Sequence, residues 1–320
     1  MVDKSIISEV TEPTDWCHPI VLQPKKDSNE VRICVDLTKL NMYVKRGAHP
    51  VLTPHEAVAS VSKGSRFFTT LDAKAGYWQI PIHEKDQELT TFITPWGRYK
   101  FLRAPMGLSI SGDEYNRRGD EALHGVTNTV KIVDDILTYD EDYQEHLTNV
   151  WKVLSKCKEH GITLNPDKFH FAKDEVDYCG YHLSTEGFTP ESSKVNAIIK
   201  FKTPSNLTEL KSFLGLVNHL GQFSQDISKL AQPLRDLLKK HNEWCWSEIH
   251  NKAFEAVKGA LSNPPILAYF DPELPIVLET DAARLKGLGY ALLQKHENSW
   301  KLIECSSRFL TETESRYATI

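Results

Sequence analysis

Apolar and polar positions change period several times along the chain. Over 18–41, "HPIVLQP" is apolar and β-branched, "KKDSNE" is polar, and "VRICVDL" alternates. That pattern predicts two strands around a turn. "TPHEAVASV" predicts a helix with Thr53 as N-cap and Pro54 at its first position. "RFFTTLDAKAGYWQIPI" predicts a strand that is interrupted and resumes, and "TTFITPWGRYKFL" a hairpin turning at Pro95-Trp96-Gly97. Residues 111–123 read as a helix whose "SISG" is a weak start, and "VKIVDDILTYD" as a hairpin with its acids at or near the tip. "YQEHLTNVWKVLSKCKEHG" places Leu147, Val150, Trp151, Leu154 and Cys157 on one helical face, with Gly161 closing the end. "VDYCGYHLSTEGF" is a further hairpin. Tight turns join most neighbouring strands and no βαβ regularity emerges, so an α+β fold on an antiparallel sheet is expected.

The character changes after Thr189. "TPSNLTELKSFLGLVNHL" is a capped amphipathic helix with Leu207, Leu210, Phe213, Leu214 and Val217 inward. "DISKLAQPLRDLLKK" and "SEIHNKAFEAVKGAL" complete a predicted three-helix subdomain. From about Pro272 strands return in "LPIVLETDA", "GYALLQKH" and "SWKLIECSS".

Composition sharpens this little. The 320 residues are 40% hydrophobic and 25% charged with a net charge of −5, ordinary for a soluble globular chain of about two domains and a third fragment. That charge argues against a protein that coats nucleic acid, although Lys25-Lys26 and Lys239-Lys240 are locally basic. Six cysteines stand singly with no C-x-x-C pair, which predicts free thiols in a reducing compartment and no zinc ribbon. The start "MVDKSIISEV" lacks a signal-peptide core, and no apolar run reaches the roughly 18 residues of a membrane span. A cytoplasmic protein without membrane partners is expected.

The acids of "KIVDDIL" are the main chemical signal. Read alone, Asp134 and Asp135 are common turn residues. Asp72 ends a second apolar strand, "FFTTLD". Were these strand ends to converge, three carboxylates would repel one another unless cations neutralised them. An all-oxygen set suits Mg²⁺ or Mn²⁺, and paired ions roughly 4 Å apart serve phosphoryl transfer.

The ordered segments "PIVLQPKKDSNEVRICVDLTKLN", "FFTTLDAKAGYWQIPI", "TTFITPWGRYKFLRAPMGLSISGDEYNRR", "VKIVDDIL", "GITLNPDKFHFA", "VDYCGYHLSTEGF", "LKSFLGLVNHL" and "LPIVLETDAARLKGLGYALLQ" cover nearly the whole chain. In that order they resemble the reverse transcriptase of gypsy-like LTR retrotransposons and, more distantly, that of retroviruses. The resemblance implies a right-hand polymerase with fingers and palm over 1–188 and a helical thumb over 189–245. Connection and an incomplete ribonuclease H-like α/β domain would follow over 246–320.

It further implies an RNA-directed DNA polymerase that extends a primer on an RNA or DNA template with dNTPs and two Mg²⁺ ions, Mn²⁺ substituting. Asp72, Asp134 and Asp135 would be catalytic and would bind the metals with the Ala73 carbonyl. Lys25, Arg32, Tyr77, Met106 and Gly107 would contact the dNTP, with Tyr77 crowding the sugar 2′ carbon. Cys179 and Gly180 would grip the primer, and Lys168 would stand near the active site. Asp281 matches the first metal-binding acid of ribonuclease H. The next such acid is expected beyond "SRYATI", so no ribonuclease H activity and a frayed tail are expected of this chain. Virus-like particles are the implied setting.

Four features depart from the family pattern. Ile132 replaces an aromatic, Ser111-Gly112 replaces Ala-Pro, Thr38 stands where a base is common, and "NHLGQF" lacks an aromatic-aromatic-Arg run. They bear on processivity more than on chemistry. A non-catalytic relic of a transposon polyprotein that at most binds nucleic acid is the alternative. A two-metal nuclease on another fold would leave Lys25, Arg32 and Tyr77 unexplained.

Overall fold

The computed structural model describes residues 1–24, 31–239, 242–283, 287–308, 310–311 and 313–314. Strands β1 (Ile7–Glu9), β2 (His18–Pro24) and β3 (Val31–Val35) precede helices α1 (Thr38–Asn41) and α2 (Pro54–Ala59). β4 (Phe67–Asp72) leads through a 3₁₀ turn, Gly76–Gln79, to α3 (Glu84–Gln87), β5 (Phe92–Thr94) and β6 (Gly97–Phe101). Next come α4 (Ser109–Leu123), β7 (Thr129–Ile132), β8 (Asp135–Asp140), α5 (Tyr143–Glu159) and β9 (His170–Lys173). The remainder is β10 (Val176–Tyr178), β11 (Tyr181–Ser184), β12 (Gly187–Pro190), α6 (Ser192–Ile199), α7 (Leu207–Leu220), α8 (Ile227–Asp236), α9 (Glu248–Ser262), β13 (Ile276–Ala283), β14 (Gly287–His296) and β15 (Ser299–Arg308).

Two compact units result. One comprises Met1–Thr53 with Thr69–Ala172, the other Pro54–Phe68 with Lys173–Ile320. In the first, a five-stranded sheet runs β1-β6-β5-β2-β3 and a four-stranded sheet β7-β8-β4-β9. The predicted β2–β3 hairpin forms with Gln23 opposite Arg32, while β2 meets β5 in parallel. The strand expected to resume after "LDAKAGY" does not. Ala75, at φ 53°, turns the chain into the 3₁₀ segment, and only an isolated bridge, Pro81 to Arg103, follows.

A buried polar network ties the four-stranded sheet to α5. His146 Nδ1 lies 2.7 Å from Asp140 Oδ2, and His146 Nε2 lies 2.6 Å from Thr69 Oγ1. Asn128 and Asn149 each donate an amide to Asp140 Oδ1, at 2.8 and 2.7 Å. The Ala172 N–H donates to Thr69 Oγ1 at 3.0 Å. Thr69 accepts that backbone N–H and keeps its hydroxyl proton and a second lone pair for His146 Nε2. This network also revises the expected inner face of α5. His146, Asn149, Val150, Val153 and Cys157 are buried, whereas Leu147 and Trp151 are exposed, Trp151 by 69%. A hydrophobicity pattern sends His146 and Asn149 outward; their hydrogen bonds to Asp140 let them point in.

In the second unit β10-β11-β12 form an antiparallel meander, and helices α6 to α9 share one core around Leu210, Phe213, Val217, Leu234, Phe254 and Val257. Four helices stand where three were expected. The additional α6 is short, lacks a side-chain cap and buries only Ile198, so its sequence signal is faint. Strands β13-β14-β15 form an antiparallel sheet with a register shift between Leu292 and Leu293, and the tail expected to fray lies largely outside the described residues. Contacts to α8 and the turn before it anchor β15: Ser307 Oγ donates to Ser228 Oγ at 2.9 Å, and the Cys305 thiol to the Gln222 carbonyl at 3.2 Å. No helix among the described residues is long and apolar enough to cross a membrane.

Candidate active site

Two strand ends meet in the first unit. β7 and β8 are joined by the two-residue turn Val133-Asp134, with Ile132 opposite Asp135. Val133 sits at φ 50°, a left-handed conformation that a β-branched residue adopts only under strain. Such strain concentrates where a side chain must be aimed. The neighbouring strand β4 ends at Asp72, and the Ala73 N–H donates to the Asp134 carbonyl at 2.8 Å. The Asn165 N–H in turn donates to the Asp72 carbonyl at 2.8 Å, which brings up the turn carrying Lys168.

Lys168 Nζ lies 2.7 Å from Asp72 Oδ2. That bond, with the nearby charges of Asp72, Asp135 and Asp134, pushes the ammonium pKa up. The lysine thus senses all three acids at once. Burial raises the Asp134 pKa, the Tyr115 hydroxyl opposes the rise, and the Asp72 charge adds to it. Despite Tyr115, Asp134 Oδ1 is buried and has no partner at good hydrogen-bond geometry. Asp135 begins β8 and is exposed. As they stand, no three His, Cys, Asp or Glu side chains among the described residues are gathered closely enough to hold a metal ion.

Two participants escaped the sequence reading. Tyr115, from α4, is buried against Asp134, and burial with the Asp134 charge pushes its phenol pKa strongly up. Gly76 passes so close that a Cβ there would collide with Asp134 Oδ1 and the Tyr115 ring. The sequence signal for Gly76 was its place before Tyr77; Tyr115 carried none. The rings of Tyr77 and Tyr115 meet edge to face at 5.4 Å. Gly112 faces the Tyr77 hydroxyl, 3.5 Å from where a Cβ would stand. Its neighbour Ser111 is buried and donates to the Pro105 carbonyl at 2.9 Å, and α4 starts without a side-chain cap, as its "SISG" suggested.

The remaining expected residues divide. Met106 is 38% exposed, and Gly107, at φ 92°, lies where a Cβ would press on the Val35 carbonyl. Asn41 pins that segment, donating to the Gly107 carbonyl and accepting from the Ser109 N–H, each at 2.8 Å. Thr38 is bound to Asp36 through its N–H and hydroxyl. Arg32 lies in β3, and Lys25 falls outside the described residues. A cavity of about 280 Å³ lined by Ala73, Tyr115, Lys131 and Val133 adjoins the turn, but none of the three acids lines it.

Cys179 and Gly180 belong to the second unit. They form the two-residue loop of the β10–β11 hairpin, at φ 49° and 85°, as a type I′ turn requires. A Cβ on Gly180 would collide with Lys194, whose Nζ lies 2.6 Å from His219 Nε2. Burial and the Lys194 charge lower the His219 pKa, so the imidazole accepts from the ammonium. Asp281 lies in the edge strand β13, opposite Gly289.

A helix-backed antiparallel sheet with acids at adjoining strand ends, followed by a helical bundle, defines a polymerase-type palm and thumb. Residues 23–183 match the family described as reverse transcriptase (RNA-dependent DNA polymerase), and the chain belongs to it. Residues 246–320 match the RNase H-like domain found in reverse transcriptase. The Transposon Tf2-7 and Tf2-3 polyproteins of Schizosaccharomyces pombe (strain 972 / ATCC 24843) are each 35% identical over 297 residues. That is 92% of this chain and 22% of each polyprotein, so the chain spans about a fifth of their length. The foamy viral protease-reverse transcriptase dRH in complex with ds DNA superposes with TM-score 0.89 at 23% identity, over 99% of this chain and 55% of that one. Its counterpart in complex with RNA/DNA hybrid gives 0.87 at 24% identity, over 99% and 42%. These likenesses establish the right-hand fold followed by a ribonuclease H-like region, and the retrotransposon type of the sequence.

Proposed function

We propose that this chain is the RNA-directed DNA polymerase of a gypsy-like retrotransposon polyprotein. It would extend a primer 3′ end with dNTPs on an RNA or DNA template, using fingers and palm over 1–188 and a thumb over 189–245, ahead of the ribonuclease H-like region over 246–320. The supporting observation is the juncture of Asp72 with the Val133-Asp134 turn through the Ala73–Asp134 main-chain bond. Complexes of the similar foamy viral enzyme with ds DNA and RNA/DNA hybrid support a template–primer duplex as the partner.

A divalent metal fits the residues present. Asp134 offers a buried oxygen without a hydrogen-bond partner, Asp72 already pairs with a cation, and the donors are all hard oxygens. Asp72, Asp134, Asp135 and the Ala73 carbonyl would hold two Mg²⁺ or Mn²⁺ ions. When bound, such ions lower the pKa of an attacking hydroxyl and neutralise charge on a transferring phosphoryl group. The protein's own contribution is positioning. Tyr115 steadies the Asp134 carboxylate, and Gly76 lets the chain pass close to it. Tyr77, backed by Tyr115, would crowd a ribose 2′ position and so favour deoxynucleotides. Lys25, Arg32, Met106 and Gly107 would contact the nucleotide, and Cys179-Gly180 the primer.

The test is extension of a labelled DNA primer on an RNA template with Mg²⁺ and dNTPs. Extension by the natural chain, lost in Asp134→Asn while duplex binding persists, is expected. Duplex binding with no extension by either protein would instead identify a non-catalytic relic.

A further inference from the structure

We infer that Lys168 and a divalent cation are alternative partners of Asp72, so that loading the acids with metal evicts the lysine from its carboxylate. The inference rests on the polymerase reading for the identity of the cation. It stands on three features of the first unit. Lys168 Nζ is bonded to Asp72 Oδ2, one of the two carboxylate oxygens open to a metal. On the adjoining turn Asp134 Oδ1 is buried and lacks a hydrogen-bond partner, so an oxygen donor beside that bond is left unused. And the lysine can leave cheaply.

Its side chain is 61% exposed, against 16% for Asp72. The 3₁₀ turn that carries it, Pro166–Lys168, is fixed independently of the ammonium. The Asn165 N–H bonds the Asp72 carbonyl, and the Asn165 side chain caps the turn by accepting from the Asp167 N–H at 3.2 Å. Only the four-carbon stem has to rotate into solvent.

The electrostatics make the two states exclusive. An ammonium and a divalent ion on one carboxylate oxygen repel each other, whereas either alone offsets the mutual repulsion of Asp72, Asp134 and Asp135. Lys168 is therefore an internal counter-ion that keeps the metal-free acids compatible and raises the metal concentration needed to load them. Binding lost to this competition returns when the lysine's charge is removed.

Mn²⁺ binding to the full chain, read by the electron paramagnetic resonance of the free ion without nucleotide or primer, tests this. Lys168→Met is expected to bind Mn²⁺ about tenfold more tightly than the natural chain, and Lys168→Arg, which keeps a cation there, to bind within about twofold of it. Melting curves establish that the variants are folded, and Lys168→Gln substitutes if Lys168→Met is not. In ¹³C-dimethylated protein the Lys168 resonance, identified by its absence from Lys168→Arg, should move on adding Mg²⁺. Affinity in the neutral variants equal to or below that of the natural chain would overturn the proposal. If in addition Asp72→Asn and Asp134→Asn bind Mn²⁺ as the natural chain does, the metal site itself is absent and the polymerase reading fails with it. If those two variants lose binding while the Lys168 variants change nothing, the competition alone is wrong.

Discussion

Gly76 leaves room for Asp134: any side chain at position 76 would enter the space held by Asp134 Oδ1 and the Tyr115 ring. Gly76→Ala should therefore displace the carboxylate or the phenol. Overpacking of this kind costs about 1–3 kcal/mol, seen as a lower midpoint in urea. Primer extension should fall much further than stability, because misplacing a reacting group by about 1 Å can cost a hundredfold in rate. Activity unchanged at full stability would show that the site does not depend on this approach.

Tyr115→Phe isolates one opposing influence on Asp134. Burial raises the Asp134 pKa and the Tyr115 hydroxyl lowers it, so removing the hydroxyl should raise it further. The acid limb of the extension-rate profile should move to higher pH, with rates converging at alkaline pH. Rates measured at limiting Mg²⁺, where the metal-free carboxyl still titrates, from pH 5.5 to about 9 will show the displacement.

Asp134→Asn should stabilise the metal-free chain. A carboxyl whose native pKa exceeds its unfolded value of 3.8 favours folding fully only below that value, and the benefit is lost as pH rises through the raised native pKa. Above that window the natural chain carries a half-buried carboxylate whose Oδ1 is buried and unpartnered. In EDTA at neutral pH the variant should melt higher, by roughly 1 kcal/mol of stability, and the difference should shrink as the pH is lowered.

His146→Leu removes the main partner of a fully buried carboxylate, leaving Asp140 with its two asparagine donors. Losing a hydrogen bond to a charged group costs about 1.5–3 kcal/mol, and those asparagines should hold the loss near the lower figure. Equilibrium denaturation gives the number. His146→Gln, which can still donate to Asp140, should recover part of it.

Trp151→Ser and Val153→Ala separate the two faces of α5. Trp151 is 69% exposed and its replacement should change stability by no more than about 0.5 kcal/mol. Val153 is fully buried, and its truncation should cost roughly 2 kcal/mol. Paired urea titrations compare them directly.

Much of the fold was legible in order and type. Hairpins at 18–35, 129–140 and 176–184 follow from alternation around turn residues, and α7 and α9 from apolar spacing behind caps. The misreadings share a cause. Apolar spacing puts Trp151 on the shared face and leaves His146 off it because hydropathy ranks side chains singly, whereas burial of His146 depends on Asp140 and Thr69, which lie in other elements. The segment after Asp72 looked like a resuming strand because its apolar residues fit one, but Ala75 turns it into a 3₁₀ segment that brings Gly76 under Asp134.

The sequence by itself determined the chemical types: two acids in a hairpin, a third at a strand end, and the family to which their order belongs. Those are properties of composition, local periodicity and motif order, which need no knowledge of distant contacts. Only the tertiary structure decided that the Ala73 N–H would reach the Asp134 carbonyl, that Tyr115 would lie against that aspartate, and that Lys168 would occupy Asp72. These pairs lie 61, 19 and 96 positions apart and in different elements, so each is fixed by the packing of the sheet against α4 and the Lys168 turn rather than by any local preference.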